Sequence, residues 1–327
     1  LKLWKYYILG NKIAYVNFLP AWNFLIFILL PKNVIPGPVT GSINRVRHKI
    51  IISFLSSFGI IYINMSIIGQ PDPSVVPRYV GISTFARLPY YECIDQKNID
   101  IGIIGIPFDS GCTFRPGARF GPEAIRRSSR LLRQYNPSQD KYPFKNRQVS
   151  DMGDIACTPF NNTQAVSQIY KELNEKMKSV KNMVIMGGDH TISYPILRCM
   201  KEKYDIKEGI TLIHFDSHLD TWEEYFDEKI THGTPFKRAF DEGLINRDTS
   251  MHVGIRGSIN DKEDFKRDSE MGFKVIPCSD VCDPKIGIDG IVSKIKNRVK
   301  NTPCYISIDV DVIDPAFAPG TGTPECG

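Results

Sequence analysis

From about residue 99 onward the chain alternates between short apolar runs and longer amphipathic stretches, with Gly, Pro and Asp at the joints. Apolar runs of about four to eight residues bounded by turn formers read as buried strands, whereas apolar positions recurring every three to four residues read as helices covering one face of a sheet. The pattern predicts strands over 99–106, 183–186, 210–215, 250–255, 273–276 and 304–308, and helices over 122–135, 163–179, 193–203, 235–243, 260–269 and 286–299. Strands separated by helices imply parallel pairing, because the chain must cross back over the sheet before starting the next parallel strand. The expected fold class is therefore α/β, a three-layer sandwich around a central, mostly parallel β-sheet, in one domain over residues 65–327.

Residues 1–64 break this pattern. They hold two apolar runs, 18–30 and 50–63, each short of the roughly 20 residues a spanning helix needs and each interrupted by Asn, Ser or Gly. Seven of the 41 Lys and Arg precede the first acidic residue, Asp72, which leaves 34 basic against 36 acidic residues in the remainder. The net charge of +5 is thus a property of the leader, and no basic patch elsewhere suits a nucleic acid. The leader is expected to lie outside the folded domain as a non-native, transit or disordered segment, with Met65 as the start; no membrane span and no nucleic-acid partner are expected. The other end stops at Cys326-Gly327 inside a Gly/Thr/Pro-rich loop, so the domain reads as incomplete at its C-terminus. Eight cysteines without framework spacing indicate a reducing compartment, the cytoplasm or the mitochondrial matrix. Cys278 and Cys282, four apart with no second pair, read as buried thiols and not as a zinc site.

Ligands of open parallel sheets bind beyond the carboxyl ends of the strands, and three polar motifs follow predicted strands: Gly187-Gly188-Asp189-His190, Asp216-Ser217-His218-Leu219-Asp220 and Asp309-Val310-Asp311. In the second, Asp216, His218 and Asp220 occupy every other position, so an extended backbone aims all three to one side. Asp309 and Asp311 alternate likewise, and two carboxylates at one strand end repel unless a cation lies between them. Two glycines permit a tight turn ahead of His190. Asp216, Asp220, Asp309 and Asp311 with His190 and His218 offer four negative charges, which balance two divalent cations. Oxygen donors with imidazole and no thiolate favour Mn²⁺ over a structural zinc ion, with Fe, Co and Ni as alternatives. Two such ions lower the pKa of a water toward neutrality, which points to hydrolysis. His232, in Thr231-His232-Gly233-Thr234-Pro235-Phe236, is assigned the transfer of a proton to a departing amine. His214 and His252 fall inside strands and read as core residues or supports behind the ligands.

These residues resemble the ureohydrolase family of arginases and agmatinases over roughly residues 71–327. Beyond the metal motifs, Ser110-Gly111, the run Arg115-Pro116-Gly117-Ala118-Arg119-Phe120-Gly121-Pro122-Glu123-Ala124-Ile125-Arg126, and Ser307-Ile308-Asp309-Val310-Asp311-Val312-Ile313-Asp314-Pro315 are similar to that family's motifs, in the same order. The resemblance implies an arginase-like fold in which His190, Asp216, Asp220 and Asp309 bind one Mn²⁺ while Asp216, His218, Asp309 and Asp311 bind the other. Asp216 and Asp309 would bridge and serve catalysis, and His232 would move the proton. The implied reaction is hydrolysis of a linear guanidino compound to urea and an amine by a homo-oligomer. Val76-Pro77-Arg78-Tyr79, Phe85-Ala86-Arg87-Leu88-Pro89 and the loop 220–236 look like the agmatinase branch, so agmatine giving putrescine and urea is the expected reaction. The alternatives are guanidinobutyrase or guanidinopropionase activity and, in another class, a non-catalytic metal-binding paralogue acting as a regulatory partner. Glu223, Glu224, Asp227 and Glu228 would suit a cationic substrate or equally form a solvated acidic loop. The family's guanidinium-holding Glu falls beyond residue 327 and Glu325 does not match it, so no substrate-binding residue is assigned.

Overall fold

A computed structural model of the chain describes residues 67–94 and 96–327 together with three strands near the N-terminus, and it divides into two compact units, Leu1–Asn64 and Met65–Gly327. In the first unit β1 (Trp4–Leu9), β2 (Lys12–Phe18) and β3 (Leu25–Pro31) pair antiparallel in that order. Leu9 is the register partner of Lys12. The apolar run 50–63 lies outside the described residues.

The second unit contains seven parallel strands: β4 (Ile99–Gly105), β5 (Val149–Asp154), β6 (Val180–Met186), β7 (Thr211–Phe215), β8 (Met251–Ile255), β9 (Lys274–Pro277) and β10 (Cys304–Ile308). They form two sheets, β5-β4-β6 and β10-β7-β8-β9, where a single central sheet was expected. The helices are α1 (Gly121–Ser129), α2 (Asn162–Met177), α3 (Ser193–Lys203), α4 (Pro235–Asp241), α5 (Glu263–Glu270), α6 (Cys278–Cys282) and α7 (Gly287–Val299). None among the described residues is long and apolar enough to cross a membrane.

Side-chain alternation along each strand feeds two cores, one per face. Ile104 of β4 packs with Ile169 and Leu173 of α2 and Ile196 of α3, whereas its neighbour Ile103 packs with Ala86, Leu88 and Val149 on the other side. In the second sheet Leu212 faces Leu197 of α3 and Phe236 of α4, while Met251 and Val253 face Ile291 of α7. Helices therefore cover both faces of the second sheet, and the layered α/β expectation holds.

Several elements depart from the sequence pattern, among them α1, predicted over 122–135, which ends at Ser129. β5 was not predicted, because Val149-Ser150-Asp151-Met152-Gly153-Asp154 carries two acids and a glycine. It is nonetheless a buried strand: Asp151 is 1% exposed and is paired with Arg126 of α1, whose Nε lies 2.8 Å away. β6 begins three residues earlier than expected, at Val180, since Lys181 and Asn182 are exposed. α6 was not predicted and its cysteines were expected to be buried; it is a short helix with Cys282 exposed and Cys278 half-buried, their Sγ atoms 3.7 Å apart at i and i+4.

Candidate metal centre

The segments that follow β6, β7 and β10 meet at the carboxyl edges of the two sheets. Gly188 makes the first turn possible: a Cβ there would lie 1.9 Å from the carbonyl oxygen of Phe108, so no other residue lets Asp189 N–H reach that carbonyl at 2.7 Å. Asp189 itself is not aimed at the cluster. Its carboxylate accepts from Thr191 N–H and Gly111 N–H, tying the loop after β4 to the start of a short 3₁₀ turn, His190–Ile192. Burial pushes the Asp189 carboxyl up to about 6, against those hydrogen bonds.

The turn delivers His190 into a ring of carboxylates. Its Nδ1 lies 3.1 Å from Asp216 Oδ2, 2.9 Å from Asp220 Oδ2 and 3.1 Å from Asp309 Oδ2, yet no oxygen is aligned to accept a hydrogen bond from it. The other ring nitrogen, Nε2, lies 2.7 Å from Ser307 Oγ. With Nε2–H given to Ser307, Nδ1 presents a lone pair to three anionic oxygens. Donors on neighbouring corners of an octahedron with bonds of about 2.1 Å lie about 3 Å apart. The four atoms therefore have the spacing of donors around one cation.

A second cluster shares Asp216. Its Oδ1 is 3.4 Å from His218 Nδ1, which in turn is 3.1 Å from Asp311 Oδ2. One carboxylate thus turns one oxygen to each cluster. Asp309, through its other oxygen, accepts from the Asp311 amide at 3.0 Å, which turns the chain after β10. Arg256 holds that turn by donating to the carbonyls of Asp311 and Val312.

The structure brings together all six residues selected from the sequence, although not in the way the alternation suggested. β7 ends at Phe215, so Asp216, His218 and Asp220 are not on an extended strand. Asp220 has φ 53°, a left-handed conformation that Asp tolerates better than most residues. This bend returns its carboxylate to His190 while His218 serves the second cluster.

Charge crowding leaves its mark on ionisation. Burial and the neighbouring Asp216 charge raise Asp220 to about 7, and burial raises Asp311 to about 6. Burial opposes charge on His218, but the carboxylates of Asp216 and Asp311 raise it to about 11. His190, also opposed by burial, is raised by the carboxylates of Asp216, Asp220 and Asp309. Every one of these shifts calls for positive charge at the two clusters, which fits dications bound by this donor set.

His232 lies at the rim, where its backbone N–H bonds Gly111 and its Nε2 accepts from the Thr113 amide at 3.2 Å, with the Thr113 hydroxyl at 2.7 Å. Burial, followed by the charge on His190, lowers it to about 4. Glu223, one of the four loop acids for which a cationic substrate or a solvated loop was expected, is bound to Lys237 and Arg238, each at 2.8 Å, which hold it at about 2. Sequence reasoning missed Ser307 and Thr113. Ser307 could have been found, since Ser307, Asp309 and Asp311 continue one alternation; nothing marks Thr113.

The comparisons agree with this geometry. The profile of the arginase family matches residues 99–327. A guanidinobutyrase of Pseudomonas aeruginosa is 38% identical, over 77% of this chain and 78% of its own. A mitochondrial agmatinase of Gallus gallus is 38% identical, over 78% and 73%. Among solved structures, the proclavaminate amidino hydrolase of Streptomyces clavuligerus superposes with a TM-score of 0.68 at 36% identity, covering 77% of this chain and 81% of that one. Because the matched span takes in both donor clusters, from His190 to Asp311, the chain belongs to the arginase family.

Proposed function

We propose that the chain hydrolyses a linear guanidino compound to urea and an amine, using two Mn²⁺ ions. His190, Asp216, Asp220 and Asp309 would hold one, and Asp216, His218, Asp309 and Asp311 the other. The observation that carries the reading is Asp216, whose two oxygens turn to separate His-carboxylate clusters. Bound there, a pair of dications supplies the Lewis acidity that lowers the pKa of water toward neutrality. The residues do the rest. Asp216 and Asp309 fix the spacing of the clusters, and Ser307 keeps the His190 lone pair on Nδ1. His232, held to about 4, is neutral at pH 7 and ready to take up a proton and pass it to the leaving amine.

Agmatine is the substrate we favour. With Glu223 committed to Lys237 and Arg238, exposed Glu224, Asp227 and Glu228 remain on the rim loop to attract its ammonium end. Relatives named for agmatine span 38–42% identity and one named for guanidinobutyrate stands at 38%, a margin too small to choose the substrate, which must be measured. With Mn²⁺ present, urea release from agmatine is expected at a higher kcat/KM than from 4-guanidinobutanoate or 3-guanidinopropanoate. A reversed order moves the assignment to a guanidino acid. No urea from any of the three, with two ions bound, rejects the enzymatic reading in favour of a metal-binding paralogue.

A further inference from the structure

Behind Asp216 lies a chain of buried polar groups that the proposed chemistry does not use. His214 Nε2 is 2.7 Å from Asp216 Oδ2, and His214 Nδ1 is 2.7 Å from His252 Nδ1. His252 Nε2 is 3.3 Å from Asp268 Oδ1, to which Thr221 Oγ1 also donates at 3.0 Å. His214, His252 and Asp268 each have 0% exposure. The two imidazoles meet because they are register partners on β7 and β8, and Asp268 reaches them from α5. The Phe236 and Phe273 rings, each 4.5 Å from one of the imidazoles, pack against the pair.

Donor and acceptor roles follow by elimination. A carboxylate serving as a ligand has only lone pairs, so His214 donates to Asp216 through Nε2–H. Two imidazolium rings cannot face each other nitrogen to nitrogen at 2.7 Å, so one of the pair must present a lone pair. With His214 already donating from Nε2, that lone pair is its Nδ1, and His252 donates from its own Nδ1. His252 Nε2 then faces Asp268 Oδ1 at 3.3 Å as a close contact that is not aligned as a hydrogen bond. Partly satisfied networks of this kind are costly in a dry interior, so each link constrains the next.

We propose that Asp268, His252 and His214 form a positioning relay that sets the orientation and donor strength of Asp216, the carboxylate common to both clusters, and so the affinity of the centre for its metal pair. The inference rests on the dinuclear reading above. It assigns a role in metal retention to two residues, His252 and Asp268, that touch neither cluster directly.

The test is titration of the full chain with Mn²⁺, read by calorimetry and by the electron paramagnetic resonance signal of the coupled pair, with circular dichroism of the metal-free protein as the check on folding. His252→Phe leaves His214 Nδ1 without a donor and is expected to weaken Mn²⁺ binding by about 10–100-fold, the usual effect of losing a group that supports a ligand. His252→Gln, whose amide N–H can replace the donor, is expected to return affinity to within about threefold of wild type. If His252→Phe does not fold, Asp268→Asn and Asp268→Ala decide. Asn keeps an N–H toward His252 Nε2 and Ala does not, so Ala is expected to bind about tenfold more weakly than Asn. A wild-type chain that binds two ions, with a folded His252→Phe variant binding equally well or with Asp268→Ala equal to Asp268→Asn, overturns the relay alone. A wild-type chain that binds no pair of ions overturns the dinuclear reading and the relay together.

Discussion

At the residue scale, the centre depends on lone pairs pointing the right way, and Ser307 and His232 show two versions of this. Ser307 belongs to neither donor cluster, but its Oγ, 2.7 Å from His190 Nε2, is placed to take the Nε2–H and leave Nδ1 as the donor atom. Ser307→Ala removes the acceptor from a buried ring nitrogen, so His190 loses the bond that fixes its tautomer. Mn²⁺ affinity is expected to fall about tenfold, measured by equilibrium dialysis, and unchanged retention of both ions would show that the tautomer needs no such support. His232 is the converse case, a rim histidine outside both clusters. His232→Asn is expected to lower kcat by about 10²–10⁴-fold with metal content unchanged, as removal of a proton-transfer group does. Loss of bound metal in that variant would place His232 in the centre and not beside it.

At the scale of elements, the anchoring of α1 on β5 carries the largest stability prediction. Arg126 on α1 spans Asp151 and Asp154 and also donates to the carbonyl of Gly153, while Asp151 accepts the Phe85 amide at 2.6 Å. Arg126→Ala leaves the Asp151 carboxylate buried without its cation, and breaking such a pair costs about 3–5 kcal/mol. Urea unfolding should show this as a lowered midpoint; a change below about 1 kcal/mol would mean that the loop carrying Phe85 holds Asp151 unaided. The same contact shows where sequence reading ran out. Arg126 lay in a quoted motif and its helix was predicted, yet its partner strand was not, because Asp151 and Asp154 read as loop until a guanidinium is placed beside them. The six clustered donors were legible because they recur at short spacing after apolar runs. Asp268 was not, since its meeting with His252 depends on how α5 packs across β8, and no local periodicity encodes that. The split into two sheets was equally hidden, because apolar runs announce strands and not their neighbours.

At the scale of the whole molecule, folding assembles groups from three strand ends into a centre that, without metal, is crowded with protons. His218 is raised to about 11, His190 is raised by the carboxylates around it against the effect of burial, Asp220 stands at about 7 and Asp311 at about 6. All four shifts are upward, and at neutral pH His218 and part of Asp220 hold protons that a dication must displace, whereas Asp311 joins them only below about pH 6. The sign of the pH dependence follows: protons compete with the metal, so apparent Mn²⁺ affinity increases as pH rises from 6 toward 8. The release at pH 7 should be at least about one proton per pair of ions, from His218, with a further fraction from Asp220. Because the metal binds only the folded state, the stabilisation it confers should grow over the same window, and the Mn²⁺-induced rise in Tm should be larger at pH 8 than at pH 6. Calorimetry in buffers of different ionisation enthalpy counts the protons directly. A count near zero, or a Tm shift that shrinks with rising pH, would show that Mn²⁺ enters elsewhere, because a cation entering the two clusters must displace the protons that His218 and part of Asp220 hold at neutral pH.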